Sequence, residues 1–221
     1  MKKIAQAVMV AACLMGAGAA HAQLGGLGGL LGAKSSGSDI GGDVTTFINQ
    51  STALSKLTGN AVIAINIAFA NAEQRDQTKA ELDAIAKLTD PKEQKARTAA
   101  LVESQSAAAK RLYDSGEMKA RMGTLDGASK KQVGDALLNY GIGALQAAAL
   151  TKTGQSLIAK AGANPMALPQ VLPVKDSLPM LGKVVSDSGG FIAGVIKLAQ
   201  GAKIDVQQPK ADSKPVDLGV F

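Results

Sequence analysis

Residues 60–114 decide the fold, and they read NAVIAINIAFANAEQRDQTKAELDAIAKLTDPKEQKARTAALVESQSAAAKRLYD. The opening run AVIAINIAFA is ambiguous by itself, because its isoleucines alternate as they would in a strand. The continuation AEQRDQTKAELDAIAKL is rich in strong helix formers and contains no turn residue. The pattern therefore predicts one helix from Ala61 to about Thr89, roughly 40 Å long at 1.5 Å per residue.

A break at Asp90-Pro91 separates this helix from a second one. Proline disfavours helical geometry in the residue before it, and it suits the first position of a new helix. Asp90 with Glu93 resembles a capping box in which aspartate replaces serine or threonine. The second helix is expected to continue to Asp114, so the two helices form a long antiparallel hairpin.

The flanking sequence predicts further helices that would cover this hairpin. Their expected ranges are 43–59, where Gly59 ends the helix, then 129–161, 177–187 and 191–202, with an extended crossover between residues 162 and 178. Aromatic residues make up only 3% of the chain, which favours packed helices over a sheet sandwich. The predicted fold class is all-α. We expect an irregular bundle of about five or six helices in a single domain, residues 43–202.

The N-terminus has the pattern of a secretory signal peptide. Lys2 and Lys3 precede an apolar segment, and Ala20-His21-Ala22 fits the small-x-small rule for cleavage. We expect the cut between Ala22 and Gln23, which predicts a periplasmic or secreted protein. The alternative is a lipoprotein anchored through Cys13, since Val10-Ala11-Ala12-Cys13 resembles a lipobox.

Cleavage after Ala22 would remove the only cysteine, Cys13, and the only histidine, His21. The mature chain would then form no disulfide and would lack thiol nucleophiles, Ser-His pairs, structural zinc sites and haem ligation by histidine. No cofactor, metal site or catalytic residue is predicted.

Two terminal segments flank the expected domain. Residues 23–42 are rich in glycine and serine, which predicts a flexible leader. The alternative is an apolar anchor that docks on the protein or on a membrane through its leucines, Leu24, Leu27, Leu30 and Leu31. The polar tail from Lys203 to Phe221 is expected to be mobile.

Carboxylates on the first arm of the hairpin are the remaining candidates for catalysis. Glu73 with Asp76, or Glu81 with Asp83, could in principle serve a glycosidase that uses paired carboxylates. Basic residues alternate with them at helical spacings, which favours a solvated surface of the helix.

The charge and hydropathy of the chain limit the classes of partner that it is expected to bind. The net charge falls from +6 to +4 when Lys2 and Lys3 are removed, and the basic residues are scattered without interleaved aromatics. This pattern does not favour nucleic-acid binding. The last apolar helix is too short to span a bilayer, so no transmembrane span is expected in the mature chain. The oligomeric state stays open.

The sequence therefore predicts an exported, non-catalytic helical protein of the bacterial cell envelope. It would act as an interaction or accessory protein, with an envelope protein or lipid as its partner. One alternative is a carrier of an apolar ligand or lipid, and another is a carboxylate-based hydrolase of envelope polymers.

Overall fold

A computed structural model describes residues 40–163, 165–210 and 213–220. The described ranges contain seven α-helices, a 3-10 helix at Pro165–Val171 and a π-helical turn at Ser188–Ile192. The α-helices are α1 (Ile40–Phe69), α2 (Ala72–Ala86), α3 (Pro91–Asp114), α4 (Glu117–Met122), α5 (Gly127–Gly162), α6 (Leu172–Asp187) and α7 (Ala193–Gly201). No strand occurs in these ranges, so the predicted all-α helical bundle is confirmed.

The centre of the bundle is a long antiparallel pair formed by α1 and α5. A Cβ atom added to Gly143 would lie 2.4 Å from Thr58 Cγ2, and one added to Gly154 would lie 2.9 Å from Phe47 Cε2. These contacts are eleven residues apart on each helix and run in opposite directions along the two chains. The glycines of α5 therefore let the two backbones approach closely over about three helical turns. We call this contact the glycine seam.

The helix boundaries near the start of residues 60–114 differ from the prediction. Gly59 does not end a helix: it is buried inside α1, where an added Cβ would lie 2.7 Å from Val102 Cγ2. The first arm instead ends at Phe69, because Asn71 caps α2 with a reciprocal capping box. The Asn71 side chain accepts a hydrogen bond from the Gln74 backbone N–H at 2.9 Å, and the Gln74 side chain accepts one from the Asn71 N–H at 3.1 Å.

The chain consequently reverses twice between α1 and α3. Gly59 lies against Val102, and the Asn66 side chain donates a hydrogen bond to the Gln105 carbonyl, so α3 runs in the same direction as α1. Helix α2 runs back between these reversals, and it packs Leu82 and Ile85 into a small cluster with Ile63 and Leu101. The one break predicted within residues 60–114, at Asp90-Pro91, is confirmed, because Asp90 caps α3 and Pro91 is its first residue.

The expected extended crossover between residues 162 and 178 is helical in the structure. A 3-10 helix occupies residues 165–171, and α6 begins at Leu172 with Pro173 in its first turn, where proline needs no N–H partner. Val171 and Val174 are fully buried there and tie the segment to the core. A break was also expected at Ser188-Gly189-Gly190, and the π-helical turn carries the helix through it.

The tail, which the sequence predicts to be mobile, lies against α5 in the structure. The Asn139 side chain forms two hydrogen bonds with the backbone of Val216, at 2.7 and 2.8 Å. Gly134 and Gly141 let the tail approach, because added Cβ atoms would lie 2.3 Å from the Asp205 carbonyl oxygen and 2.7 Å from Pro209 Cγ. Gly134, Gly141, Gly143 and Gly154 interrupt the predicted helix 129–161, and the sequence predicts that they permit close packing against the second arm of the hairpin. They do permit close packing, but Gly134 and Gly141 contact the tail, and Gly143 and Gly154 contact α1.

Helix α1 is long and apolar enough to cross a membrane by length and composition, with a mean hydropathy of 1.2 in its most apolar window. In the structure 61% of that window is buried inside the bundle. The buried core helix of a bundle meets the same criteria of length and composition, and α1 is largely buried in this bundle.

We predict that Gly143→Ala lowers the free energy of unfolding by about 1–3 kcal/mol, because the new methyl group overlaps Thr58 in the glycine seam. Gly182→Ala is the matched control. Nothing lies within 4 Å of an added Cβ at this helical position, so it should raise stability by up to about 1 kcal/mol. Urea unfolding measures both, and equal effects of the two substitutions would contradict the close approach of α1 and α5.

We predict that Asn139→Ala releases the tail. The substitution removes two hydrogen bonds worth about 1 kcal/mol each. The fraction of molecules whose tail is detached from α5 should therefore rise roughly tenfold or more. Tryptic cleavage after Lys210 should accelerate accordingly, whereas the exposed Asn49→Ala should leave the rate unchanged. Rapid cleavage already in the unmodified chain would show that the tail is mobile, as the sequence predicts.

Candidate functional site

The sequence-predicted site residues fall into two groups. The cleavage residues Ala20, Ala22 and Gln23, the leader leucines Leu24, Leu27, Leu30 and Leu31, and Cys13 lie outside the described residues. The carboxylates Glu73, Asp76, Glu81 and Asp83 lie on α2 with exposed side chains. Glu73 accepts a hydrogen bond from Gln77 one turn later, at 3.3 Å, as expected for a solvated helix surface.

A surface cleft lies where the C-terminal end of α1 meets α2, α3 and α4. Its volume is about 470 Å³, which is within the range of small-ligand sites. Two guanidinium groups, those of Arg111 and Arg121, line it, and we call it the arginine cleft. Four amide side chains share its lining: Asn66, Gln74, Gln77 and Gln105.

Arg121 is held in position at the end of α1. Its Nη2 donates a hydrogen bond to the Phe69 carbonyl, and its guanidinium carbon lies 6.0 Å from the centre of the Phe69 ring. Arg75 likewise donates through Nε to the Ala70 carbonyl at 3.0 Å. Cations suit the C-terminal end of a helix, where carbonyl groups lack partners within the helix.

Arg111 lies in the last turn of α3, and its side chain is exposed. The four ion pairs of the described ranges, all between residues one helical turn apart, involve neither Arg111 nor Arg121. Both charges are therefore available to an anion. Glu117 is the carboxylate residue in the cleft lining.

Asn66 forms the innermost polar part of the arginine cleft. Its residue is only 7% exposed, and its side-chain Nδ2 donates to the Gln105 carbonyl. Its Oδ1 atom is buried and accepts no hydrogen bond from the described part of the chain. A buried carbonyl oxygen without a donor is unfavourable by about 1–3 kcal/mol.

The second cleft, of about 350 Å³, lies beside the tail and the first turns of α5. Lys130, Lys131 and Lys203 line it together with Asp135 and Asp205. Lys131 is paired with Asp135 at 2.5 Å, which leaves Lys130, Lys203 and Asp205 outside the ion pairs of the described ranges.

The described ranges offer few other groups suited to metal binding or proton transfer. They contain no group of three or more histidine, cysteine, aspartate or glutamate residues that could hold a metal ion. Burial, and to a smaller degree the charge of Asp187, raise the pKa of Tyr140, so its phenol stays protonated and enclosed in the core.

Exposed apolar side chains lie at the opposite end of the bundle from the arginine cleft. Met166 is 86% exposed, Leu172 55% and Leu168 41%. The glycine seam places Ile40 level with the C-terminal turn of α5, so these residues follow at the end of the bundle where α1 begins. We call this end the apolar pole, and it lies roughly 40 Å from Asn66 at 1.5 Å per residue of α1.

Sequence reasoning missed the arginine cleft, although one signal was present. Asn66 is the only polar side chain in AVIAINIAFA, and an isolated amide in an apolar run indicates a buried polar contact. Arg121 gave no such signal, because its contact with Phe69 depends on the reversal at Asn71.

No protein-family model, curated protein or solved structure matches the chain. The function therefore has to be argued from these residues and their geometry.

We predict that Arg121→Ala lowers the free energy of unfolding by about 1 kcal/mol, because the Phe69 carbonyl at the end of α1 loses its charged donor. Lys119→Ala, an exposed change on the same helix, should alter stability by less than about 0.5 kcal/mol. Thermal unfolding compares the two variants, and indistinguishable midpoints would show that Arg121 does not cap α1.

Proposed function

We propose that this chain is an exported, non-catalytic helical protein of the bacterial cell envelope, an accessory protein that acts by binding a partner in the arginine cleft. Support for export comes from the sequence pattern of Lys2 and Lys3, the apolar segment and Ala20-His21-Ala22. Support for binding comes from the composition of the arginine cleft.

One observation carries the proposal. Two arginines without a carboxylate partner share a cleft with a buried amide whose Oδ1 accepts no hydrogen bond from the described residues. A guanidinium group binds a carboxylate through two parallel N–H···O bonds, so Arg111 and Arg121 can bind a carboxylate in this cleft. The site thus fits the carboxylate of a short peptide, whose backbone amides can pair with the glutamine side chains.

The geometry favours binding over catalysis. The carboxylates considered for a hydrolase, Glu73, Asp76, Glu81 and Asp83, do not belong to the lining of either cleft. Glu117 lines the arginine cleft without a second carboxylate there, which does not fit the paired-carboxylate scheme. A hydrolase therefore stays an alternative without structural support.

The carrier of an apolar ligand or lipid also stays an alternative. Such a carrier needs a pocket with mainly apolar walls. Charged and amide side chains line both clefts described above. The proposed accessory role does not require an internal apolar cavity.

We predict that acetyl-Ala-Ala with a free carboxylate binds the unmodified protein and that Arg111→Gln weakens this binding at least tenfold. A hydrogen bond to a charged group contributes about 1.5–3 kcal/mol, and Arg111 supplies one such group. Arg97→Gln is the matched control, because Arg97 is exposed on the same helix, is paired with Glu93 at 3.5 Å and lies outside the cleft lining. NMR titration measures the dissociation constants, and the side-chain amide of Asn66 should shift during the titration.

Three results would contradict this assignment. The C-terminal amide of the same peptide could bind as tightly as the free acid, which removes the role of the carboxylate. Inorganic phosphate could bind more tightly with the same dependence on Arg111, which indicates a general anion site. Absence of shifts at Asn66 and Arg111 at millimolar peptide would reject the cleft as a peptide site even if the variants fold poorly.

A further inference from the structure

The apolar pole is built from a short segment in which most outward side chains, Gln170 excepted, are apolar. Between Pro165 and Val174 the inward side chains are Ala167, Val171 and Val174, which are 4%, 0% and 0% exposed. The outward side chains include Leu168 and Leu172. A surface segment normally carries polar residues on its outer side, so this outer face indicates a contact surface.

The start of α1 lies at the same end of the molecule. The seam contacts pair Thr58 with Gly143 and Phe47 with Gly154, so seven further residues along each helix bring Ile40 level with Ala161. The 3-10 helix follows one turn later and also contacts α1. The chain that precedes Ile40 therefore begins its path beside the apolar pole.

That preceding chain contains four leucines, Leu24, Leu27, Leu30 and Leu31, separated mostly by glycine. Eight residues lie between Leu31 and Ile40, and the nine Cα–Cα steps from Leu31 to Ile40 span up to about 30 Å when the chain is extended. Packed helix axes are only 8–10 Å apart, so the leucines can reach the exposed side chains of the 3-10 helix and α6. Glycines between the leucines permit close approach of the leader backbone.

We propose that the part of the leader that precedes α1, residues 23–39, docks on the apolar pole of its own chain and covers Leu168 and Leu172 with its leucines. The tether of eight residues between Leu31 and Ile40 keeps the leucines at a high effective concentration beside this surface. The charges at this end are balanced and do not favour an anionic lipid instead, since Lys160 and Lys175 are accompanied by Asp43 and Asp176. The contact is therefore apolar and intramolecular, and it is independent of ligand binding in the arginine cleft.

Paramagnetic relaxation in the chain from Gln23 to Phe221 tests this docking. This chain contains no cysteine, so Lys175→Cys introduces a single site for a nitroxide label three residues from Leu172. We expect the label to broaden the NMR signals of Leu27, Leu30 and Leu31 more than fivefold relative to the reduced label. The same label at Lys79→Cys on α2, at the other end of the bundle, should not broaden them.

The double substitution Leu168→Asn with Leu172→Asn should abolish the broadening. Both side chains are exposed, so the fold should be retained, and Leu145→Asn, which is 49% exposed in the middle of α5, serves as the control. Broadening that persists in the double variant would overturn the proposed surface. Leader signals that are unaffected by the label at residue 175 would overturn the docking itself.

Two further results would identify a different occupant and overturn the proposal. A mixture of isotope-labelled chain without nitroxide and nitroxide-labelled chain without isotope should show no broadening, and broadening there would mean that a second copy occupies the pole. Leader signals that disappear only when phosphatidylcholine–phosphatidylglycerol vesicles are added would mean that lipid occupies it.

Discussion

The close approach of α1 and α5 is the constraint on which the rest of the structure depends. Gly143 and Gly154 supply no side chain at the contact, so Thr58 and Phe47 lie directly against the backbone of α5. Dispersion forces fall off steeply with distance, so this seam makes many short contacts without large side chains. A chain with few aromatic residues can hold a core together in this way. The same seam sets the register that places the start of α1 beside the 3-10 helix and its end beside the arginine cleft.

Much of the fold could be predicted from local patterns in the sequence. The break at Asp90-Pro91, the helical class and the importance of the glycines in α5 all depend on neighbouring residues. The reversal at Asn71 was missed, because asparagine is compatible with a continuous helix as well as with a cap. Gly59 was misread for a related reason: a glycine can end a helix or admit a neighbour such as Val102, and only the tertiary structure distinguishes the two.

The candidate site was less predictable, because its parts come from distant segments. Asn66 and Arg121 are brought together only after α2 folds back. The polarity of the tail suggested mobility, yet the hydrogen bonds that hold it use its backbone, which composition does not reveal. Side-chain polarity therefore indicated which residues are exposed, but it did not indicate which backbone groups form contacts.

The glycine seam has a consequence for the order of folding. In the chain 85 residues separate Thr58 from Gly143, and 107 residues separate Phe47 from Gly154. Closing loops of this length is slow compared with the formation of local helical pairs such as α2 with α3. The newly made polypeptide would thus remain without its central contact until α5 has been synthesised, and this delay would suit the proposed export of the chain before it folds.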